Sequence, residues 1–398
     1  MSGWKEYKLG DFIKIKHGYA FSGEHITSIE TDKILVTPGN FHIGGGFKSD
    51  KFKYYNSNDF PQEYMLHGGD IIVTMTDLSK DTDTLGYSAK VPNNISKLYL
   101  HNQRIGLLQF RSDKVYPDFV YWLMRTKEYQ SYIVGSASGT SIMHTSPSRI
   151  EAYSFLFPPI DEQKRIAGVL SSLDDKIDLL NRENATLEAL AETLFRHYFI
   201  ENPDPTWKEG NIADVVDFNP ARKLGKGEKA PYVEMANIGT NGYAPSSWRI
   251  RSFVSGTKFI NGDTLMARIS PCLENGKAAF VDFLEKEQVG WGSTEFIVMR
   301  SKLGIHQFFA YVLSRYDDFR DHAVSSLVGS SGRQRVDLDN LIKYPFIIPG
   351  KQAIELFNHE LNTIFPKMQN NQKQILTLTA QRDTLLSRLM NGEVNVVE

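Results

Sequence analysis

Two loops of this sequence combine arginine, glutamine, histidine and small hydroxyl residues, a mixture suited to contacts with the base edges of nucleic acid. The later loop contains Arg333, Gln334 and Arg335. An arginine can bind the O6 and N7 atoms of a guanine, and a glutamine can bind an adenine through its amide. The earlier loop contains Ser141 and His144. We therefore predict that both loops contact bases.

Further polar residues in the two halves are candidates for contacts with the nucleic-acid backbone, or for contacts with DNA beside these loops. Each half has a Gly-Asp pair followed by a short apolar run, and polar side chains end or follow that run. The candidates there are Thr74 and Thr76 in the first half and Arg268 in the second. The remaining candidates are the basic residues Lys48, Lys51, Lys53, Arg149, Arg222, Lys223, Lys226, Arg249 and Arg251. For any single residue, solvated surface without a contact is an equally good interpretation.

The sequence contains no motif of a recognised catalytic class. There is no Walker loop, no His-Glu-x-x-His and no adenine-methyltransferase tetrad, of which Asn219-Pro220 and Pro158-Pro159 are only fragments. The run Gly44-Gly45-Gly46 lacks the lysine of a phosphate-binding loop and is interpreted as a flexible turn. The ten histidines do not have the spacing of metal ligands. We predict a chain that is not an enzyme and that binds no metal or cofactor of its own.

The composition is that of an ordinary globular protein. At 398 residues the chain is long enough for two domains, each with its own core. The formal charge of −2 neither supports nor excludes nucleic acid, because acidic helices can offset a local basic surface. The single cysteine, Cys272, excludes internal disulfides and favours a cytoplasmic location. No run is long and apolar enough to span a membrane, and no membrane partner is expected.

The two halves of the chain repeat a series of short landmarks in the same order. The matched segments are Trp4-Lys5-Glu6 with Trp207-Lys208-Glu209, Gly69-Asp70 with Gly262-Asp263, Tyr121-Trp122-Leu123 with Tyr311-Val312-Leu313, and Phe157-Pro158-Pro159 with Ile348-Pro349-Gly350. The halves differ most in 17–60 against 219–258 and in 77–101 against 269–292. This pattern predicts one scaffold with two different recognition surfaces, although divergence without a functional cause is the alternative.

Each repeated half alternates short apolar runs with Gly, Asn, Asp and Pro, which is typical of strand-rich domains. Helices are predicted near 117–133 and 305–323. We therefore predict an α+β fold with an internal repeat. Its parts are two strand-rich domains at 1–155 and 201–345 and two helical regions at 156–200 and 346–398.

Each half is followed by a long helix with an unbroken heptad pattern, from 163 to about 199 and from about 352 to 390. Spacings of three and four residues are typical of the a and d positions of a coiled coil. The seam contains Leu173, Ile177, Leu180, Asn184, Leu187 and Leu194 in the first helix, and Ile364, Met368, Asn371, Ile375, Leu378, Leu385 and Leu389 in the second. A buried asparagine in each seam would fix the register at a cost in stability. A buried core helix is the alternative for either pattern alone.

The short linker at 201–206 decides the direction of the second helix. The second domain begins where the first helix ends, and a compact domain tends to begin and end close together. The helices are therefore predicted to run antiparallel, with one domain at each end. A helix of roughly 37 residues at about 1.5 Å each would separate the domains by roughly 55 Å. Pro366 should kink or restart the second helix, because proline has no amide donor.

Two stretches resemble the specificity subunit of type I restriction–modification systems. They are FPPIDEQKRIAGVLSSLDDKIDLLNRENATLEALAETLFRHYF at 157–199 and RDTLLSRLMNGEV at 382–394. The resemblance implies two target-recognition domains joined by an antiparallel coiled coil, with each domain reading one half of a split double-stranded DNA site. The second half departs from the pattern, since Pro349-Gly350-Lys351-Gln352 replaces the Pro-Pro-x-x-Glu-Gln form at 158–163.

The same resemblance implies partners and cofactors outside this chain. Two methyltransferase subunits, which use S-adenosylmethionine, would assemble on it. In the nuclease, two restriction subunits, which use ATP and magnesium, would join them. A coiled-coil scaffold whose modules bind protein or glycan is the alternative function. A self-contained restriction–methylation enzyme is disfavoured, because no segment is recognisable as a binding site for S-adenosylmethionine.

Overall fold

The computed structural model divides the chain into two compact units. The described residues are 3–49, 51–77, 82–139, 142–330 and 333–396. Unit 1 comprises Met1–Lys176 and Leu378–Glu398, and unit 2 comprises Ile177–Thr377. Each unit therefore contains one of the repeated halves together with a part of each long helix.

Unit 1 contains two main sheets. The first is antiparallel and four-stranded, with the order Ile13–His17, Ile105–Phe110, Ile71–Thr74 and Ser88–Lys90. The second is five-stranded, with the order Ile26–Thr27, Lys53–Tyr55, Lys33–Val36, Leu98–His101 and Met65–Leu66. Its strands Lys33–Val36 and Leu98–His101 are parallel. Short antiparallel pairs join Lys5–Lys8 to Ser154–Phe157 and Thr76–Asp77 to Met143–His144.

The central strand Ile71–Thr74 of unit 1 is buried along its whole length. Ile71 and Val73 pack in one apolar cluster with the short helices, whereas Ile72 packs in another with the second sheet. A strand that is covered on both faces has a continuous apolar sequence instead of an alternating one. This explains the apolar run after the Gly-Asp pair, and it places the end of the strand in the interior.

Unit 2 repeats this topology. Its antiparallel sheet has the order Val216–Phe218, Phe296–Ser301, Thr264–Ala267 and Ala278–Phe280. Its second sheet has the order Arg249–Ser252, Lys229–Val233, Gly290–Gly292 and Thr257–Phe259, with a parallel pair in the middle. Short pairs join Lys208–Asn211 to Pro345–Ile348 and Leu327–Val328 to Arg335–Val336. Among the described residues of unit 2, no strand corresponds to Ile26–Thr27.

Short helices accompany the sheets of each unit. They are Pro117–Leu123, Lys127–Gly135 and Pro147–Glu151 in unit 1, and Ile212–Val215, Phe308–Arg315, Asp317–Ser325 and Leu338–Leu341 in unit 2. The two segments that were predicted to be helical are thus each a pair of short helices. In unit 1 the second helix of the pair begins where the hydroxyl of Thr126 accepts a hydrogen bond from the Tyr129 amide at 3.3 Å.

The two long helices span Ile160–Arg196 and Lys351–Met390. The first is followed by a π-helical turn, His197–Glu201. Both helices lie close to their predicted bounds, because the heptad pattern is a local property of the sequence. Of the kink or restart predicted at Pro366, the restart does not occur, because the second helix continues through this residue. Proline removes one amide donor from the helix, and its neighbours Ile364, Phe365 and Met368 pack into the core of unit 2.

Most seam residues of unit 2 are buried. The buried positions are Ile177, Leu180, Asn184, Ile364, Met368, Asn371 and Ile375, while Leu187 and Leu194 are half-buried. In unit 1, Leu389 is buried, and Leu173, Leu378 and Leu385 are half-buried. Asn371 donates through Nδ2 to Oδ1 of Asn184 at 3.0 Å, and Asn184 donates to the carbonyl oxygen of Met368 at 3.4 Å. The two asparagines thus form hydrogen bonds in the interior, an arrangement that favours one register.

Candidate nucleic-acid interface

Arg268 and the later of the two predicted loops are far apart in the sequence but adjacent in unit 2. The amide of Val336 donates to the carbonyl oxygen of Arg268 at 2.9 Å, and the Arg268 guanidinium donates to the Val336 carbonyl at 3.1 Å. Ile269 and Arg335 also pair as strand residues do. The end of the central strand therefore carries the loop. Arg268, Arg333 and Arg335 line one open cleft of about 660 Å³.

A carboxylate orients one arginine of this cleft. Arg335 donates to Glu295 through Nε at 2.9 Å and through Nη2 at 2.6 Å. These hydrogen bonds lower the pKa of Glu295 and raise the pKa of Arg335, so both groups are charged at neutral pH. Arg333 is exposed, and the cleft is also lined by Asp337 and Asp339. Donors with carboxylate acceptors beside them suit the mixed pattern of a base edge better than they suit phosphate alone.

The third polar residue of this loop, Gln334, is half-buried. Its carbonyl oxygen accepts a hydrogen bond from the amide of Ser270 at 3.0 Å, which again ties the loop to the chain that follows the central strand. The backbone of the loop is thus held at Gln334 and at Val336 by the segment 268–270. Its side chains are therefore presented on a fixed support, as base recognition requires.

Unit 1 has the same connection between the strand end and the loop. The amide of Thr145 donates to the carbonyl oxygen of Met75 at 3.0 Å, and His144 pairs with Thr76. His144 therefore has the position in unit 1 that Arg335 has in unit 2. It is exposed, and its Nδ1 lies 3.1 Å from Oγ1 of Thr76. An imidazole and a guanidinium at equivalent places give the two loops different hydrogen-bonding groups.

Two residues that were predicted to contact DNA lie in the interior of unit 1. Thr74 is fully buried, and Thr76 is 4 % exposed. The Thr74 hydroxyl donates to the carbonyl oxygen of Thr76 at 2.9 Å, so both shape the end of the strand from inside. Arg149 is half-buried, with Nη1 3.5 Å from the hydroxyl oxygen of Ser138. Ser141 lies outside the described residues.

The outer strand Arg249–Ser252 of unit 2 forms a basic surface on an aromatic support. All four of its residues are exposed. The Arg251 guanidinium lies 4.5 Å from the ring centre of Tyr232 and 5.9 Å from that of Trp291. The two rings are themselves 4.4 Å apart. A guanidinium that lies on aromatic rings is stabilised without losing its charge, so Arg251 is suited to bind a phosphate.

Neighbouring basic residues extend this surface. The amide of Gly227 donates to the carbonyl oxygen of Phe253 at 2.8 Å and fixes a second loop beside the strand. That loop contains Lys223 and Lys226, and both are exposed. Lys258 lies over the ring of Phe253, with Nζ 4.7 Å from its centre. The basic residues are therefore grouped on one side of the second sheet of unit 2.

Two other basic candidates are bound to carboxylates. Arg249 pairs with Glu234 at 3.1 Å on the surface. Arg222 reaches inward, where it and Arg300 bind the fully buried carboxylate of Asp263 at 3.1 and 2.7 Å. Two cations offset the cost of burying this carboxylate. Arg222, which was predicted to contact phosphate, therefore has a structural role in unit 2.

The lysines that were predicted to bind phosphate in unit 1 are not grouped on an uncovered edge. Lys53 is exposed, but its own strand is covered on the outer side by Ile26–Thr27. Lys51 is exposed and Lys48 is half-buried, and the carbonyl oxygens of both accept from Nδ2 of Asn40 at 3.2 Å. In unit 1, Lys48 and Lys51 therefore lie on a loop whose backbone is bound by Asn40, and Lys53 lies on a strand whose outer side is covered.

Sequence reasoning missed the aromatic support of the basic surface. Tyr232, Trp291 and Lys258 lie on three different strands, and only the strand register brings them beside Arg251. The available signal was the alternation of arginines in 249–252 together with aromatic residues in other strand-like runs. That signal does not identify which aromatic residue faces which arginine.

The buried histidine His101 behaves as a core residue. Burial lowers its pKa to about 4, and its Nε2 lies 2.8 Å from the carbonyl oxygen of Ile105, so it is neutral at physiological pH. Within the described ranges, no cluster of histidine, cysteine, aspartate and glutamate is arranged to hold a metal ion. The same ranges contain no helix long and apolar enough to cross a membrane.

Comparison with known proteins shows what the chain is similar to. Residues 1–189 match the family described as type I restriction modification DNA specificity domain. The specificity subunit of the type I restriction enzyme MjaIX from Methanocaldococcus jannaschii is 27 % identical over 319 residues, which cover 72 % of this chain and 71 % of that protein. The chain is thus similar to type I specificity subunits. The HindI specificity subunit of Haemophilus influenzae is 22 % identical over 482 residues, which cover 99 % of this chain and 100 % of that one.

A solved structure has the same fold. The crystal structure of the type I S subunit from M. genitalium superposes with a TM-score of 0.56 at 18 % identity, covering 98 % of this chain and 96 % of that chain. The mixed helix and strand content predicted from the sequence is confirmed. The relatives named above are specificity subunits of type I restriction enzymes.

Proposed function

We propose that the chain recognises a split double-stranded DNA site for a type I restriction–modification complex, with one half-site for each recognition domain. One observation carries the proposal. In both units the end of the central strand pairs with a loop that presents a nitrogen-rich side chain, Arg335 in unit 2 and His144 in unit 1. The backbone frame is repeated while the side chains differ, as recognition of two different half-sites requires.

Within unit 2, the two basic surfaces would have different tasks. The cleft with Arg268, Arg333 and Arg335 offers oriented donors next to acceptors, which suits a base edge in the major groove. The exposed strand with Arg251 and the nearby lysines offers charge without such acceptors, which suits phosphate. Phosphate contacts would position the unit on the duplex, and the cleft would select the sequence.

We infer that the long helices pair as an antiparallel coiled coil that spaces the two recognition domains, 1–155 and 201–345, through helical regions at 156–200 and 346–398. Contacts inside each unit support this proposal. Asp174 binds Arg382 in unit 1, and Asn184 binds Asn371 in unit 2. As the residue number increases along the first helix, the residue number of its contact partner in the second helix decreases. Antiparallel helices require this order.

The proposal extends to the partners of the complex. The chain would act in the cytoplasm and assemble with two methyltransferase subunits and, in the nuclease, with two restriction subunits. The methyltransferase subunits would supply S-adenosylmethionine chemistry, and the restriction subunits would use ATP and magnesium. In this division of labour, the chain contributes sequence recognition and spacing and no catalytic group.

Genome-wide mapping of adenine methylation with and without the chain tests the proposal. We expect a split motif with a constant spacer that is methylated only when the chain is present. Replacing 201–345 with the equivalent domain of a relative should change one half of the motif and leave the other half and the spacer unchanged. A motif in which both halves change, or the absence of any chain-dependent motif, would contradict recognition by separate domains.

Binding measurements provide a direct test of the DNA contact. The chain in complex with its methyltransferase subunits should shift fragments with the mapped motif, with an affinity that falls steeply as salt is raised. Fragments in which either half-site is scrambled should bind more weakly. An affinity that depends neither on the motif nor on salt would favour the alternative scaffold function.

A further inference from the structure

One arginine occupies the same place in both units. Arg125 follows Tyr121, and Arg315 follows Tyr311, at the same spacing in the repeated landmark. Each guanidinium lies against the ring of its own tyrosine, at 5.2 Å in unit 1 and 5.4 Å in unit 2. Arg125 is only 7 % exposed and Arg315 is half-buried, so neither belongs to the exposed basic surface described above.

In unit 1, Arg125 binds a loop of the divergent segment 17–60. Its Nε donates to the carbonyl oxygen of Gly44 at 2.9 Å. The three glycines at 44–46 have φ between 85° and 95°, a conformation that favours glycine. A Cβ on Gly45 would lie 2.6 Å from Cγ of Arg125, so there is no space for a side chain. The glycine run, which was interpreted as a flexible turn, is in fact packed on this arginine.

In unit 2, Arg315 binds two divergent segments at once. The acceptors are the carbonyl oxygens of Gly239, Thr240, Gly242, Gly276 and Ala278, at 2.5 to 3.5 Å. The first three belong to the divergent segment 219–258, and the last two belong to 269–292. A planar guanidinium with several fixed donors is suited to bind a group of oxygens of this kind, whereas a single ammonium is not.

Both arginines are connected to the first long helix within their own units. Arg125 donates to Asp174 at 2.9 Å. The hydroxyl of Tyr311, against which Arg315 lies, donates to Glu188 at 2.8 Å. The segment 17–60 of unit 1 is thus linked to a helical carboxylate directly through Arg125, and the two divergent segments of unit 2 are linked to one through Arg315 and Tyr311.

We propose that Arg125 and Arg315 are positioning residues that fix the backbone of the recognition segments through their carbonyl oxygens. Every residue type supplies a main-chain carbonyl, so this contact constrains the place of a segment without constraining its side chains. The same scaffold then accepts segments of different sequence, and each is presented in a defined position. The proposal rests on the proposed function in DNA recognition.

Motif mapping with arginine-to-lysine variants tests this proposal in the intact complex with the methyltransferase subunits. Arg125→Lys and Arg315→Lys keep the charge but remove the fork of donors. We expect each variant to relax the base preference of one half-site only, by about tenfold, as the loss of a hydrogen bond to a charged group implies. The control Arg111→Lys changes an exposed arginine of unit 1 and should leave both half-sites unchanged.

Several outcomes would overturn the positioning role. One is unchanged preference at both half-sites in both variants, and another is equal relaxation of both half-sites by each variant. Loss of soluble complex in both variants would also overturn it, because the arginines would then act through folding alone. If the wild-type complex methylates no split motif, the proposed function fails instead.

Hydrogen exchange in the intact complex supplies a readout that does not depend on methylation. With Arg125→Lys, the amides at 42–46 should exchange faster, while those of Ile71–Thr74 should be unchanged. Unchanged exchange at 42–46 would show that Arg125 does not fix this loop. Faster exchange throughout unit 1 would show a general folding role.

Discussion

Lys53–Tyr55 of unit 1 and Arg249–Ser252 of unit 2 have equivalent places in their second sheets but different neighbours. Lys53–Tyr55 of unit 1 is covered on its outer side by Ile26–Thr27. In the described residues of unit 2, Arg249–Ser252 pairs on one side only and exposes its whole length. The difference is the two-residue strand Ile26–Thr27, which covers the edge in unit 1. The equivalent edge in the described residues of unit 2 is an exposed basic surface. A repeated scaffold can thus change its recognition surface at the sheet edge while its central strands stay the same.

The repeated Gly-Asp turns show a second difference beneath the surface. Asp70 accepts the amide of His67 at 2.8 Å, and Asp263 accepts the amide of Ile260 at 2.9 Å. Asp70 is half-buried, whereas Asp263 is fully buried and also binds two arginines. The same landmark therefore closes a turn in both units but anchors an ion-pair cluster in only one of them.

The largest difference between the units is expected when these two aspartates are replaced. Asp263→Asn would leave Arg222 and Arg300 without their buried carboxylate and should lower the free energy of unfolding of unit 2 by about 3–5 kcal/mol. Asp70→Asn keeps an acceptor in the turn and should cost below about 1 kcal/mol. Denaturant unfolding followed by tryptophan fluorescence measures both costs. Equal costs would show that Asp263 acts only as a turn residue.

A smaller difference is expected at the equivalent loop positions. Arg335→Ala should lower discrimination at one base of one half-site by about 1–3 kcal/mol, because a bidentate contact is lost. His144→Ala should affect the other half-site and by less, since an imidazole offers fewer donors. Affinities of the complex for single-base variants of the motif, at fixed salt, measure both effects. A uniform loss for every sequence would assign Arg335 to phosphate contact.

The matched control for this experiment is Glu295→Gln. This change leaves Arg335 in place but removes the charged partner that orients it. We expect a partial loss of discrimination at the same base and no change at the other half-site. An effect of Glu295→Gln that exceeds the effect of Arg335→Ala would show that the carboxylate itself contacts DNA.

The sheet edges should differ in their contribution to sequence-independent binding. Arg251→Ala should weaken binding to all sequences and reduce the slope of log affinity against log salt by about 1, as expected for one phosphate contact. Lys53→Ala, on the covered edge, should have a smaller effect. Arg249→Ala is the control within the same strand, because the charge of Arg249 is already paired with Glu234. Equal slopes for the three variants would remove the distinction between the edges.

The smallest expected difference is a pH dependence. In unit 1, burial favours protonation of Asp174, but Arg125 and Arg382 outweigh burial and lower its pKa. In unit 2, burial raises the pKa of Glu188, against the opposing hydrogen bond from Tyr311. A lowered carboxyl pKa stabilises the fold above the ordinary pKa, and this contribution is lost as pH falls through the lowered value. A raised carboxyl pKa stabilises the fold at pH values below the ordinary pKa, and this stabilisation is lost as the pH rises through the raised value.

Acidification from neutral pH to about pH 5 should therefore stabilise the region around Glu188 and leave the region around Asp174 unchanged. Hydrogen exchange at the two pH values, corrected for intrinsic exchange rates, measures the local stabilities. Glu188→Gln should abolish the gain in unit 2. A gain that persists in this variant would assign the pH dependence to another group, such as Asp282, whose pKa burial also raises.

Local patterns predicted the long helices well, whereas burial was harder to predict. Heptad spacing depends only on near neighbours, so it identified the helices and the asparagine pair Asn184 and Asn371. Thr74 was predicted to contact DNA because it ends the apolar run after the Gly-Asp pair, yet its strand is covered on both faces and Thr74 is fully buried. Arg222 was assigned to phosphate because it is basic, yet its partner Asp263 lies far along the chain.

The sequence by itself determined the internal repeat, the two long helices and the resemblance to a known family, because these depend on residue type and on spacing along the chain. Only the tertiary structure decided which side chains are presented. Arg251 lies on Tyr232 because separate strands are in register, and Arg335 is oriented by Glu295 from a neighbouring segment. Such contacts join residues that are distant in sequence, and their geometry is set by strand pairing and burial, which no local pattern encodes.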